Sequence, residues 1–276
     1  MSRNDEQVQL QRVLRMNSGV GETSYAKNST MQKVIASFTK SMRKDLARDY
    51  YRDHLSDKVV IADMGCSTGP NAILMASDAI QSIISVCSDL GHPPPEFQVF
   101  LNDLPWNDFN SIFRSLGDYY LSQGGDTEGQ LCFILGAPGS FYGRLFLSRS
   151  LHYVVSSSSL HWLSEVPEVL QEGSVVNKGR ICISKTSNPS VFDAYKKQFQ
   201  AGFSLFLKCR GVEMMKGGVM VLTFMARRGS DPSAEEDCYM WELLAVALMD
   251  LASVVHARTF NYFWLFWIEL TRTTYH

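Results

Sequence analysis

The sequence predicts an α/β protein with a largely parallel sheet. Three observations carry that expectation. The stretch Val59-Val60-Ile61-Ala62 is apolar without alternation, like a strand buried on both faces. It runs into Asp63, a tight Gly65-x-x-x-Gly69 turn and Pro70 at a helix start. A second strand, Phe97-Gln98-Val99-Phe100-Leu101-Asn102-Asp103, ends on an acid. Strand and helix patterns then alternate along the chain, which favours parallel pairing through helical crossovers.

The elements follow in order. Residues 5–15 carry a short helical pattern, broken at Gly19 and Gly21. The polar run 21–32 precedes a helix marked by Val34, Ile35, Phe38, Met42 and Leu46, which ends near 51–54. Ser29 reads as its N-cap, with Gln32 at the third helical position of a capping box, a structural role for both. After the first strand, Ile73, Leu74, Ala76, Ile80, Ile83 and Ile84 recur at helical spacing. A short helix is expected to about Leu116, then a surface loop over 118–130 and a third buried strand over 131–135. That strand enters the turn-rich loop 136–146, at a carboxyl end where open α/β sheets bind ligands. A fourth strand, 151–155, leads to Ser156-Ser157-Ser158-Ser159-Leu160-His161-Trp162. These residues suit a half-polar, half-aromatic wall, although Trp162 could equally pack in the core with His161 solvated. A helix over 190–215, with a basic patch read as a solvated face, precedes a fifth strand over 219–224. Residues 235–255 form a helix with an apolar stripe at Met240, Leu243, Leu244, Val246 and Ala247. One domain over 1–255 and an atypical aromatic tail over 256–276 are therefore expected.

Composition narrows the function. The 276 residues are 45% hydrophobic, enough for a sizeable core, and carry a net charge of −2. That balance speaks against tracking a phosphate backbone, so nucleic acid is not an expected partner. The six cysteines form no C-x-x-C pair and read as buried thiols of a reducing compartment. The first eleven residues lack an apolar core of the secretory type, and no apolar run reaches the roughly 18 residues of a span. A cytoplasmic protein without a membrane partner, with a homodimer as its assembly, is expected.

The glycine turn matches neither the dinucleotide nor the Walker pattern. There is no lysine for a triphosphate and no glycine spacing for a pyrophosphate. An acid ending the second strand suits a ribose diol, because it accepts from both hydroxyls. An adenosyl group without a pyrophosphate fits best, and S-adenosylmethionine is the common one. A parallel βαβ unit with a purely structural glycine turn fits the same residues.

Taken together, several motifs resemble the plant SABATH methyltransferases, which methylate salicylate, benzoate, jasmonate and related acids, or xanthine nitrogens. They are Gly21-Glu22-Thr23-Ser24-Tyr25-Ala26-Lys27-Asn28-Ser29-x-x-Gln32 and Ala62-Asp63-Met64-Gly65-Cys66-Ser67-x-Gly69-Pro70-Asn71. Phe100-Leu101-Asn102-Asp103-Leu104-Pro105-x-Asn107-Asp108-Phe109-Asn110, Gly139-Ser140-Phe141-Tyr142-Gly143-Arg144-Leu145-Phe146 and Ser159-Leu160-His161-Trp162-Leu163-Ser164 continue the match. It covers about 13–255. The resemblance implies a class I methyltransferase fold with a helical cap. It implies Tyr25, Ser29, Asp63, Gly65, Cys66, Asn71, Asp103, Leu104, Ser140 and Phe141 around S-adenosylmethionine. It further implies Gln32, His161 and Trp162 against the carboxylate of a small acid, with Ser158, Met240 and Trp241 lining the acceptor pocket. In some members an asparagine matching Asn177 is a magnesium ligand. The remaining ligands would lie in chain absent here, so no bound metal is expected.

Two departures from the family carry expectations. Ser158 stands where an aromatic residue is usual, which suits a larger or more loosely held acceptor. Family members also continue past residue 255, so the chain reads as a truncated or mis-spliced product with an open pocket and bare apolar helix faces. Methyl transfer to a carboxylate needs no general base, since the acid is ionised at neutral pH. Alignment and exclusion of water are the protein's task. A catalytically dead binding isoform, a xanthine N-methyltransferase and a nicotinamide-dependent oxidoreductase are the competing readings.

Overall fold

The computed structural model describes residues 15–19, 21–68, 70–122, 132–171, 173–175, 177, 180, 183–227 and 229–255. Residues 5–14 of the helix expected over 5–15, and the tail 256–276, lie outside the described residues. In chain order the elements are α1 Tyr25–Asn28, α2 Thr30–Phe38, α3 Lys40–His54, β1 Lys58–Met64, α4 Leu74–Leu90, β2 Glu96–Asp103, α5 Phe109–Ser122 and β3 Cys132–Pro138. They continue with β4 Leu151–Ser157, α6 Glu168–Gln171, α7 Pro189–Glu213, β5 Met214–Thr223 and α8 Glu235–Val255. The five strands form one parallel sheet in the order β3-β2-β1-β4-β5. The fold is thus the expected α/β class, with the strand order reversing between β1 and β4.

Two compact units emerge. The described residues up to Leu160, with Leu205–Phe224, make the first, and His161–Ser204 with the described part of Met225–His276 make the second. In the first, β1 is buried from Val59 to Met64 and packs against α4, whose inner face carries Ala76, Ala79, Ile80, Ile83 and Val86. Each fully buried aliphatic side chain of this kind is worth roughly 1.5–3 kcal/mol. The same composition makes Asn71–Leu90 long and apolar enough to cross a membrane, which reading for unbroken apolar runs missed; 56% of its most apolar window is buried inside the protein. In the second unit, Leu163, Ile183, Val191, Tyr195 and Phe199 form a small core, with Trp162 packed against it.

Several sequence expectations are corrected. The N-terminal helix is two helices, because Thr39 ends α2 and starts α3. The Thr39 hydroxyl donates to the Ile35 carbonyl, a contact that bends helices. α5 continues through Gly117 to Ser122, where a loop was expected. β3 is not buried on both faces: it closes one side of the strand order and leaves Phe133 and Leu135 exposed. The stripe on α8, by contrast, is largely exposed at Leu243, Leu244 and Val246, in line with the bare apolar helix faces expected. β5 begins five residues before the expected Val219, and Gly217 there adopts φ +79°. A Cβ at Gly217 would meet the His54 ring at 2.5 Å, so no larger residue fits. Cys66, Cys87, Cys209 and Cys238 are buried, Cys132 is half-buried and Cys182 lies outside the described residues.

The basic patch on α7 is not wholly solvated. Arg210 and Glu213 are fully buried and bond at 2.7 Å. A second buried pair, Arg43 and Asp78 at 2.9 Å, joins α3 to α4. Asp78→Ala leaves the Arg43 charge buried with no carboxylate and is expected to cost about 3–5 kcal/mol in urea unfolding. A loss below about 1 kcal/mol would show that the pair contributes little.

Candidate active site

The carboxyl ends of the strands are tied together before any ligand enters. The Asn102 carbonyl accepts from both Gly65 N–H and Cys66 N–H at 2.9 Å, while its side-chain amide donates to the Ala137 and Gly139 carbonyls at 2.7 and 2.9 Å. On the other side of β1, the Ser156 and Ser159 hydroxyls donate to the Met64 and Gly65 carbonyls at 2.8 and 2.9 Å. Gly65 sits at φ +80°, and an added Cβ would lie 2.2 Å from Ser159 Oγ. Only glycine fits this turn. Pro70 then opens a single 3-10 turn, Pro70–Ile73, ahead of α4.

A cavity opens at the switch between β1 and β4, where open α/β sheets bind ligands. It is lined by Tyr25, Gln32, Lys33, Ala36, Asp63, Gly65, Cys66, Asn71, Leu74, Met75 and Ser157. Six expected site residues, namely Tyr25, Gln32, Asp63, Gly65, Cys66 and Asn71, therefore meet in one place. Reading for motifs missed the other five. Ala36, Leu74 and Met75 follow from continuing α2 and α4 by a turn, Ser157 belongs to the serine run read as a half-polar wall, and Lys33 gave no motif signal.

Ser29 does not cap α2 through its side chain. Its hydroxyl accepts instead from Asn71 Nδ2 at 2.8 Å, locking the start of α2 to the turn after β1. This overturns the capping box and frees Gln32, whose buried Oε1 has no hydrogen-bond partner. Ser29, Asp103, Leu104, Ser140 and Phe141 are not among the cavity-lining residues. Asp103 ends β2 beside them, its two oxygens accepting from Ser67 N–H at 2.7 Å and Leu104 N–H at 2.8 Å. Each oxygen keeps a lone pair for a ligand hydroxyl. Ser140 Oγ accepts from Tyr142 N–H at 3.3 Å, and the Phe141 ring packs 3.5 Å from where a Gly65 Cβ would stand. Ser158, at φ +58°, has a buried hydroxyl without a partner.

Burial controls the charges. It pushes the Asp63 carboxyl up to about 8, helped by the nearby Asp103 charge and opposed by Arg43. Burial likewise raises Asp103, while the Leu104 and Ser67 amides pull it back. The Tyr25 hydroxyl is raised by burial first and then by Asp63 and Asp103, and the Cys66 thiol is pushed well up by burial. In the second unit, burial lowers His161 to about 4, and its Nδ1 has no partner. His161 is therefore neutral at physiological pH. Trp162 packs 5.8 Å from it, ring to ring. Trp241 is half-buried in α8, and Met240 lies in the same helix with its side chain outside the described residues. Asn177 Oδ1 accepts from Ser187 Oγ at 2.9 Å. Among the described residues, no group of three His, Cys, Asp or Glu could hold a metal.

The strand order, the glycine turn after β1, the acid closing β2 and the cavity at the switch define an α/β protein of the class I methyltransferase fold. The chain belongs to the SAM dependent carboxyl methyltransferase family, whose profile matches residues 11–265, ten residues beyond the end expected at 255. It is 48% identical over 248 residues to the Theobroma cacao protein named "Probable jasmonic acid carboxyl methyltransferase 1", covering 88% of this chain and 66% of that one. To the Arabidopsis thaliana jasmonate O-methyltransferase it is 48% identical over 261 residues, covering 89% and 67%. A solved loganic acid methyltransferase with SAH superposes with a TM-score of 0.76 at 33% identity, covering 88% and 68%. The chain thus spans just under two thirds of the cacao relative.

The site fits the cofactor that the family uses. Gly65 lines the cavity with bare backbone, and Asp63 offers a buried acid to a cation. A bound cation beside Asp63 pulls its carboxyl down from about 8. Binding of S-adenosylmethionine at pH 7 is expected to release close to one proton, read from the dependence of binding enthalpy on buffer ionisation enthalpy. No release would show that Asp63 does not face the ligand's charge. Without ligand, the raised Asp63 value stabilises the fold at low pH, and that contribution is lost as pH rises towards 8. The lowered His161 value acts oppositely: its contribution is complete above its usual 6.5 and shrinks as pH falls to about 4.

Proposed function

We propose that the chain transfers a methyl group from S-adenosylmethionine to the carboxylate of a small jasmonate-like, aromatic or indole acid, giving the methyl ester. The observation that carries the reading is the meeting of Tyr25, Gln32, Asp63, Gly65, Cys66 and Asn71 in one cavity of a chain from this family. When bound, the cofactor supplies an electrophilic methyl on a cationic sulfur. Tyr25, Gly65, Cys66 and Asn71 would hold it, Asp63 would match its charge, and Asp103, Leu104, Ser140 and Phe141 would take the nucleoside end.

Gln32 is proposed as the group that orients the acceptor. Its amide can donate to a carboxylate oxygen and has its own oxygen unengaged. His161 and Trp162 are proposed as further acceptor contacts, with Ser158, Met240 and Trp241 shaping its body. A neutral His161 holds one ring proton to donate and cannot serve as a fixed cation. No side chain need take a proton, because the acid is already ionised at neutral pH. The residues align the acid and exclude water from it. A cytoplasmic homodimer in plant secondary metabolism completes the proposal.

Purified protein given labelled cofactor and a panel of jasmonate-type, benzoate-type and indole acids is expected to form methyl esters. Gln32→Leu should lower kcat/KM by about 10- to 100-fold, the worth of a hydrogen bond to a charged group. Label appearing on a xanthine nitrogen and on none of the acids would overturn the acceptor class. Tight S-adenosylhomocysteine binding without any product would favour a binding protein instead.

A further inference from the structure

The cavity at the β1–β4 switch has both a buried acid and a lysine among its lining residues. Asp63 stands at the end of β1, 3% exposed and with Asp103 nearby. Lys33 follows Gln32 in α2 and lines the same cavity. The lysines flanking it in sequence are engaged, Lys27 with Glu22 and Lys40 with Asp78. Lys33 is exposed, and its ammonium has no hydrogen-bond or ion-pair partner among the described residues. The first turn of α2 holds no acid that could neutralise it.

The carboxyl methylation proposed above brings together a cation and an anion. A cavity lined by both a buried acid and a lysine suits that pair. We propose that Lys33 is a specificity-determining residue, its ammonium at the cavity lip pairing with the acceptor's carboxylate while Gln32 beside it fixes the carboxylate's orientation. The inference rests on the carboxyl methylation reading. Lysine suits the task because a compact charge on a flexible four-carbon stem can follow carboxylates mounted on differently shaped bodies. It also explains why Gln32, a neutral amide, can handle an ionised acid: the charge is met one residue away.

The test is calorimetric titration of a jasmonate-type and a benzoate-type acid into the protein saturated with S-adenosylhomocysteine. Lys33→Met is compared with Lys33→Arg. Lys33→Met is expected to weaken acid binding about 2- to 5-fold, the scale of a solvent-accessible ion pair, and to flatten its salt dependence. In turnover the loss should fall on KM more than on kcat. Lys33→Arg should restore most of the affinity, and S-adenosylhomocysteine should bind both variants as it binds the parent. Equal acid affinity in Lys33→Met and the parent would overturn the inference while leaving carboxyl methylation standing. A weakening of S-adenosylhomocysteine binding by the same factor would also overturn it, assigning the charge to the cofactor's own carboxylate. A parent protein that binds no acid would overturn both.

Discussion

The site depends on one side chain that touches no ligand-facing surface. Asn102 is fully buried, and its backbone carbonyl and side-chain amide make four hydrogen bonds that fix the ends of β1, β2 and β3 against one another. In water such bonds contribute about 1 kcal/mol each, but leaving any of the buried partners unpaired costs more. The Gly65 turn can therefore hold its left-handed conformation, and the Gly139 loop can begin where it does, only while Asn102 spans them. The hydroxyls of Ser156 and Ser159 extend the same tie to β4. Three of the four consecutive serines that looked misplaced in a core segment are thus accounted for by backbone bonding or by the cavity: Ser156 and Ser159 secure the carbonyls of β1, and Ser157 lines the cavity.

Two buried ion pairs set the remaining walls. Arg43 pairs with Asp78 and donates to the Ala36 carbonyl at 2.8 Å and to the Thr39 hydroxyl. It therefore holds the broken junction of α2 and α3, and with it the helix that carries Gln32 and Lys33. Arg210 donates to the Phe141 and Gly143 carbonyls at 2.8 and 2.7 Å. Its partner Glu213 accepts from the Leu145 and Phe146 amides at 2.7 and 3.1 Å. The loop that carries Ser140 and Phe141 is thereby fixed by charges that water does not reach. Charges so placed destabilise strongly when one partner is removed.

Much of the fold was legible because its signals are local. The unbroken apolar run of β1, the acid that ends β2 and the glycine turn each follow from a few adjacent residues. The cavity joined six of the residues that the motifs singled out. What was not legible depends on distant partners. Glu213, three residues on, could pair with Arg210 equally well at the surface, and the Phe141 and Gly143 carbonyls that hold its guanidinium in the interior lie in the distant loop after β3. The capping box failed for the same reason: Asn71, more than forty residues away, claims the Ser29 hydroxyl. β3 looked like a buried strand because its residues are apolar, but position at the side of the sheet, which composition does not encode, leaves Phe133 and Leu135 exposed.

The electrostatics follow from the same geometry. Closing the sheet edge buries Asp63 close to Asp103, and two acids in so little water cannot both keep their charges easily. A cation bound beside Asp63 would favour its ionised form and relieve that strain. A crystal structure of the protein with S-adenosylhomocysteine tests this most directly. The account predicts sulfur density in the cavity between Asp63, Gly65 and Gln32, with the ribose hydroxyls on Asp103. Ligand density elsewhere on the protein, with this cavity filled only by solvent, would contradict it.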